Sequence, residues 1–165
     1  MRLRSFIVFL LPLLLGCGFH LRGQQSLPFE TLYVPGGSAL SVELKRNLAA
    51  AARGTKLVND PKEAQAVLGF TSEQREKIIL SFDTAGRVRE YQLRYTVGFR
   101  LTDNKSQVYI PTSEIRLTRD ISFSDAQVLA KESEEAQLYR EMQSDMVQQL
   151  LRRIGAAQAA KPGVE

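Results

Sequence analysis

The chain has 165 residues, 44% hydrophobic and 24% charged, a balance that excludes wholesale disorder and suits one domain with a modest core. One Cys, one His and no Trp argue against a disulfide framework, a zinc site or an iron–sulfur cluster, each of which needs several Cys or His ligands. The formal charge is +4, and only His20 is available as the base of a Ser-His-Asp enzyme.

Residues 1–16 read as an export signal. Arg2 and Arg4 precede the apolar run Phe6-Ile7-Val8-Phe9-Leu10-Leu11-Pro12-Leu13-Leu14-Leu15, and Gly16-Cys17 follows. That run spans 10 residues, whereas a helix needs about 20 to cross a bilayer core. The only Cys stands at the end of Leu14-Leu15-Gly16-Cys17, which resembles a bacterial lipobox. A thiol accepts diacylglycerol, and the small Gly16 gives a signal peptidase access to the bond before it. The competing reading is a cleaved signal followed by an incidental buried Cys. With Cys17 as the mature start, a third acyl chain joins the new amino group, and two or more chains anchor stably at roughly 0.8 kcal/mol per buried CH₂. Gly18, where Asp commonly retains lipoproteins at the inner membrane, favours export to the outer one. Subtracting Arg2 and Arg4 from the 22 basic residues leaves 20 against 18 acidic ones, a formal +2 that gives no reason to expect a nucleic-acid partner.

In chain order, residues 17–29 form a lipidated tether, and Thr31-Leu32-Tyr33-Val34 a first strand ended by Pro35-Gly36-Gly37. Ser38 caps a helix to about Ala52, with Leu40, Leu44 and Leu48 on one face and Arg53-Gly54 closing it. Lys56-Leu57-Val58 is a short extended piece before the Asn59-Asp60-Pro61 turn. Three long strands follow. The first sets Ala66, Leu68, Phe70, Ile78, Leu80 and Phe82 on one parity and Glu73, Arg75 and Lys77 on the other. In the second, Tyr91, Leu93, Tyr95, Val97, Phe99 and Leu101 alternate strictly with polar residues or Gly98, the mark of one covered and one wet face. The third changes parity near Pro111, which predicts a bulge or an edge position. Ser124 then caps a helix to about Ile154, carrying the apolar stripe Leu138, Met142, Met146 and Leu150, and residues 155–165 form a flexible tail.

These elements predict an α+β two-layer sandwich over residues 30–154, in the order β-α-β-β-β-α. A roughly four-stranded, mainly antiparallel sheet carries two helices on one face, and its other face is polar. Arg94, Arg100 and Arg116 fall on that polar face, where solvation is the default reading.

Cys17-Gly18-Phe19-His20-Leu21-Arg22-Gly23 resembles the start of the mature LptE family of lipopolysaccharide-assembly lipoproteins, as do Glu90-Tyr91-Gln92 and Leu129-Ala130-Lys131 further on. The element order agrees across nearly the whole mature chain. The resemblance implies an outer-membrane lipoprotein, anchored on the periplasmic side, that plugs the LptD β-barrel, helps it assemble and binds lipopolysaccharide. Candidate contacts with the lipid A phosphates are Lys131, Arg87 and Arg89, since Arg offers a planar fork of donors and Lys a compact point charge. The bland reading of each is a solvated surface charge. One departure from the family is Asp83, which follows Phe82 where relatives often carry a basic residue. A pure assembly pilot with no lipid contact is the alternative function. An enzyme is disfavoured: the chain has no glycine-rich phosphate loop, no metal-spaced ligands and no usable triad. Neither a cofactor nor a metal is expected, and His20 is read as a local hydrogen-bonding residue.

Overall fold

The computed structural model describes residues 27–51 and 54–157. The expected signal segment, Cys17, His20 and most of the expected tether and tail lie outside the described residues.

The elements are β1 (Thr31–Tyr33), α1 (Ala39–Ala51), β2 (Lys56–Val58), β3 (Ala66–Phe82), β4 (Val88–Thr102), β5 (Val108–Ser122) and α2 (Val128–Gly155), with short 3₁₀ turns at Pro61–Glu63 and Asp125–Gln127. The architecture is the expected α+β sandwich. Its sheet has five strands rather than four, in the order β2-β1-β3-β4-β5. The extra strand is Lys56-Leu57-Val58, which lies parallel to β1, and β1 is also parallel to β3, so the sheet is mixed. A parallel neighbour requires a crossover, and α1 supplies it. Its first turn is capped by Ser38, whose Oγ accepts the Ser41 N–H at 3.2 Å. Leu40, Leu44 and Leu48 are all buried.

The core lies between the helices and the near half of the sheet. Met142, Met146, Val147, Leu150 and Ile154 of α2 meet Leu93, Tyr95, Val97, Phe99 and Leu101 of β4, all of them buried. A buried side chain of this size contributes about 1.5–3 kcal/mol. Phe29 is buried too, its ring 5.0 Å from that of Tyr109, so the chain is already packed at the end of the segment read as tether. Helix α2 begins three residues later than expected, with Gln127 in the cap position. Ser124 starts the 3₁₀ turn instead and makes no side-chain cap.

One correction changes which residues face the helices. The β3–β4 register slips between Phe70 and Ser72, so Thr71 is an extra residue and the β3 side chains from Ser72 to Ile79 change face. Glu73, Arg75 and Lys77, expected on the polar side, stand opposite Val97, Tyr95 and Leu93 on the helix side. They are used there. Tyr95 donates from its hydroxyl to Glu73 at 2.7 Å, and burial together with that carboxylate pushes the phenol pKa above its ordinary value. The Arg75 guanidinium lies 4.9 Å from the Tyr95 ring centre and donates to Gln143 of α2, which in turn donates to Glu43 of α1. Lys77 pairs with Glu135 at 2.6 Å. Polar contacts at Glu135 and Gln143 therefore flank the apolar packing of Leu138, Tyr139 and Met142 in holding α2 to the sheet. The parity change expected near Pro111 is present as irregular pairing between β4 and β5, and β5 is an edge strand.

Candidate functional site

The far end of the long strands is closed by the β3–β4 turn, and its geometry follows from one carboxylate. Asp83 Oδ1 accepts the backbone N–H groups of Ala85 and Arg87 at 2.8 and 2.9 Å, while Gly86 takes a φ of 78°. That left-handed conformation is why the position is Gly. Hydrogen bonding, led by the Arg87 backbone N–H, holds the Asp83 carboxyl below its ordinary pKa. The Arg87 guanidinium is tied back to Asp83 through Nε at 3.0 Å and Nη2 at 2.9 Å, yet its side chain remains 67% exposed. The β4–β5 turn repeats this design. Asp103 Oδ1 accepts from Lys105 and Gln107, and Ser106 occupies the left-handed position at φ 72°.

Arg87 and Arg89 line one cavity of about 350 Å³ together with Asp83, Val88, Phe123, Ser124 and Ala126. The Arg89 carbonyl accepts the Phe123 N–H at 2.7 Å, which holds the end of β5 beside the start of β4. Phe123 packs edge to face with Tyr91 at 5.4 Å. Lys131 does not line the cavity. Its Nζ donates to Ser122 Oγ at 3.0 Å and pairs with Glu134 at 2.9 Å, leaving the side chain only 16% exposed. Ser122 is opposite Glu90 in the sheet, so Lys131 belongs to the same end of the molecule as the two arginines. Of the three basic candidates, the fold joins two in one cavity and sets the third nearby, already partnered.

Apolar surface at this end was not foreseen. Ile79, Leu80, Phe82, Val128 and Leu129 are exposed, Leu129 to 82% and Phe82 to 60%. Leu80 and Phe82 had the parity of the covered face. They are uncovered because the slip at Thr71 turns their parity away from the helices: Ile78 already stands opposite Gln92, Leu80 is skipped between Ile79 and Ser81, and Phe82 pairs with Val88. The one available sequence signal was the run Ile78-Ile79-Leu80, which has no alternation and so does not fit a half-buried strand. Among the described residues no group of three or more His, Cys, Asp or Glu side chains is placed to hold a metal, and no helix is long and apolar enough to cross a membrane.

Fold and tip together define a small two-layer α+β sandwich with an end that offers guanidinium groups among exposed apolar side chains. The chain belongs to the LptE family, described as lipopolysaccharide-assembly, whose family model matches residues 29–154. A solution structure of an uncharacterised lipoprotein B from Nitrosomonas europaea is 44% identical, with a TM-score of 0.73, and the match covers 84% of this chain and 91% of that one. A minor lipoprotein from Acinetobacter baumannii is 26% identical, with a TM-score of 0.63 and coverage of 79% and 93%. Rare lipoprotein B from Shewanella oneidensis, at 22% identity, a TM-score of 0.65 and coverage of 76% and 94%, shares the fold. No curated protein matches the chain.

Proposed function

We propose that this chain is a non-enzymatic outer-membrane lipoprotein that plugs the LptD β-barrel, helps it assemble, and binds lipopolysaccharide on its way to the outer leaflet. In this reading residues 1–16 are removed and Cys17 carries the acyl chains on the periplasmic side. Residues 17–29 are the tether, 30–154 the folded domain and 155–165 a tail. Membership of a lipopolysaccharide-assembly family supports the class of function. The observation that carries lipid binding is the pairing of Arg87 and Arg89 with exposed Leu80, Phe82 and Leu129 at one end. Lipid A is amphiphilic. Its phosphates suit guanidinium forks, and its acyl chains suit uncovered apolar side chains.

The assembly-pilot reading draws on a specific observation as well. Arg87 is already paired with Asp83, and Lys131 with Glu134, as ordinary surface charges are. Purifying the tagged full chain from outer membranes after site-specific crosslinking tests the common part of both readings. A large β-barrel protein recovered with it is the expected result. Recovery of the chain alone overturns both.

A further inference from the structure

The two turns that join the long strands are built alike, and one of them carries a charge pair that the turn does not need. Asp83 and Asp103 each use Oδ1 to accept two backbone N–H groups, from Ala85 and Arg87 in one turn and from Lys105 and Gln107 in the other. Each turn also closes through its backbone: the Asp83 N–H donates to the Arg87 carbonyl, and the Asp103 N–H to the Gln107 carbonyl, both at 2.8 Å. The closing residue is a cation at the tip and the uncharged Gln107 at the other end, so the backbone geometry makes no demand for a charge there. At the tip, Asp83 Oδ2 takes no part in building the turn and instead accepts from Nε of Arg87, with Nη2 at 2.9 Å. Asp83 and Arg87 both line the tip cavity, and Asp83 is the only carboxylate among its described lining residues. Arg89, the second cation of that lining, makes no ion pair among the described residues.

We propose that Asp83 determines the anion specificity of the tip: its carboxylate is a built-in competitor for the Arg87 fork, which admits phosphate esters and disfavours carboxylate ligands. The inference rests on lipid binding at the tip, as proposed above. An incoming carboxylate brings one charge and two oxygens, which is what Asp83 already supplies, and Asp83 is held in place by its own chain. Exchanging like for like gains no attraction and loses the freedom of the ligand. A phosphate monoester carries about −1.5 to −2 at pH 7 and three acceptor oxygens, enough for Arg87 and Arg89 together, so it draws the guanidinium away from Asp83. The exchange is easy. The Arg87 side chain is largely exposed, and an exposed ion pair of this kind is worth a factor of about five at most. Once displaced, the Asp83 carboxylate stays in the cavity as a like charge, held through Oδ1, and a weak anion does not overcome it.

The test titrates the full chain with neutral detergent micelles containing either phosphatidic acid, a phosphate monoester, or N-oleoyl glycine, a carboxylate lipid ionised at neutral pH. Wild type prefers phosphatidic acid. Asp83→Asn keeps a carbonyl oxygen for the Ala85 and Arg87 N–H groups, so amide exchange there stays slow while Arg87 is released. The variant binds N-oleoyl glycine about three- to fivefold more tightly and phosphatidic acid with a smaller gain, so the preference narrows. Asp103→Asn makes the same change of net charge at the other end of the strands and leaves both affinities as they were. If Asp83→Asn keeps the wild-type preference while Arg87→Glu still weakens phosphatidic acid binding, the proposal alone is overturned. Equal gains from Asp83→Asn and Asp103→Asn reduce the effect to net charge and overturn it as well. A wild type with no affinity for phosphatidic acid, or an affinity that Arg87→Glu leaves untouched, overturns phosphate binding at the tip together with the proposal.

Discussion

Gly98→Ala tests the bulge that turns β3 over. A Cβ at Gly98 would collide with Thr71 Oγ1 and stand 2.6 Å from Ser72 Oγ, the atom that accepts the Gly98 N–H at 3.2 Å. Thr71 is exposed and its hydroxyl can rotate away, but Ser72 cannot move without leaving a buried N–H unmet. An unsatisfied group of that kind costs about 1–3 kcal/mol. Alanine returns about 0.5–1 kcal/mol of the backbone entropy that glycine costs in a strand. The net expectation is a loss of about 1–2 kcal/mol, which lowers a urea midpoint by roughly 1 M with the slope unchanged. Gly69→Ala is the control. Its Cβ would meet Arg100 only at 3.5 Å, an ordinary contact, so it is neutral or stabilising by up to about 1 kcal/mol. Urea titrations of both variants decide the matter. Equal midpoints for the two would refute the account of the bulge.

Ser106→Gly, at the positive φ of the β4–β5 turn, should raise stability by about 0.5–1 kcal/mol in thermal unfolding, and a loss would mean that the serine makes an unrecognised contact. Asp83 titrates below its ordinary value in the folded chain, so its contribution is complete above that ordinary value and disappears as pH falls through the folded one. Amide exchange at Ala85 and Arg87, corrected for intrinsic rate, should therefore accelerate at acid pH, and Asp83→Ala should abolish that pH step. Cys17→Ala should move the protein out of the membrane fraction, and persistent tight anchoring would refute the lipobox reading.

Strand β4 was legible because its helix-side row is covered along its whole length, so Tyr91 to Leu101 alternate without a break. β3 was not legible beyond Phe70. A one-residue bulge inverts parity, and hydropathy cannot mark it when the displaced residues are Glu73, Arg75 and Lys77, long side chains able to serve either face. Gly98 opposite the bulge was the only local sign, and one glycine in a strand has several explanations. Lys56-Leu57-Val58 is too short to declare itself a strand, since its pairing with β1 depends on the crossover made by α1. At the tip, the resemblance to the family singled out Arg87, Arg89 and Lys131. Their neighbourhood with Leu80, Phe82 and Leu129 arises where three elements end together, which no period within one element records.

Lipid binding at the tip is the central claim, and a direct titration of purified lipopolysaccharide tests it most closely. Full-length wild type is compared with Arg87→Glu/Arg89→Glu, with Lys131→Glu, and with Arg46→Glu on α1 as a control away from the tip. A charge-assisted hydrogen bond contributes about 1.5–3 kcal/mol, so reversing both arginines should weaken binding at least tenfold while barrel assembly and the thermal midpoint stay near wild type. The Arg46 variant should bind normally. Undiminished lipopolysaccharide binding by the double arginine variant would contradict the claim.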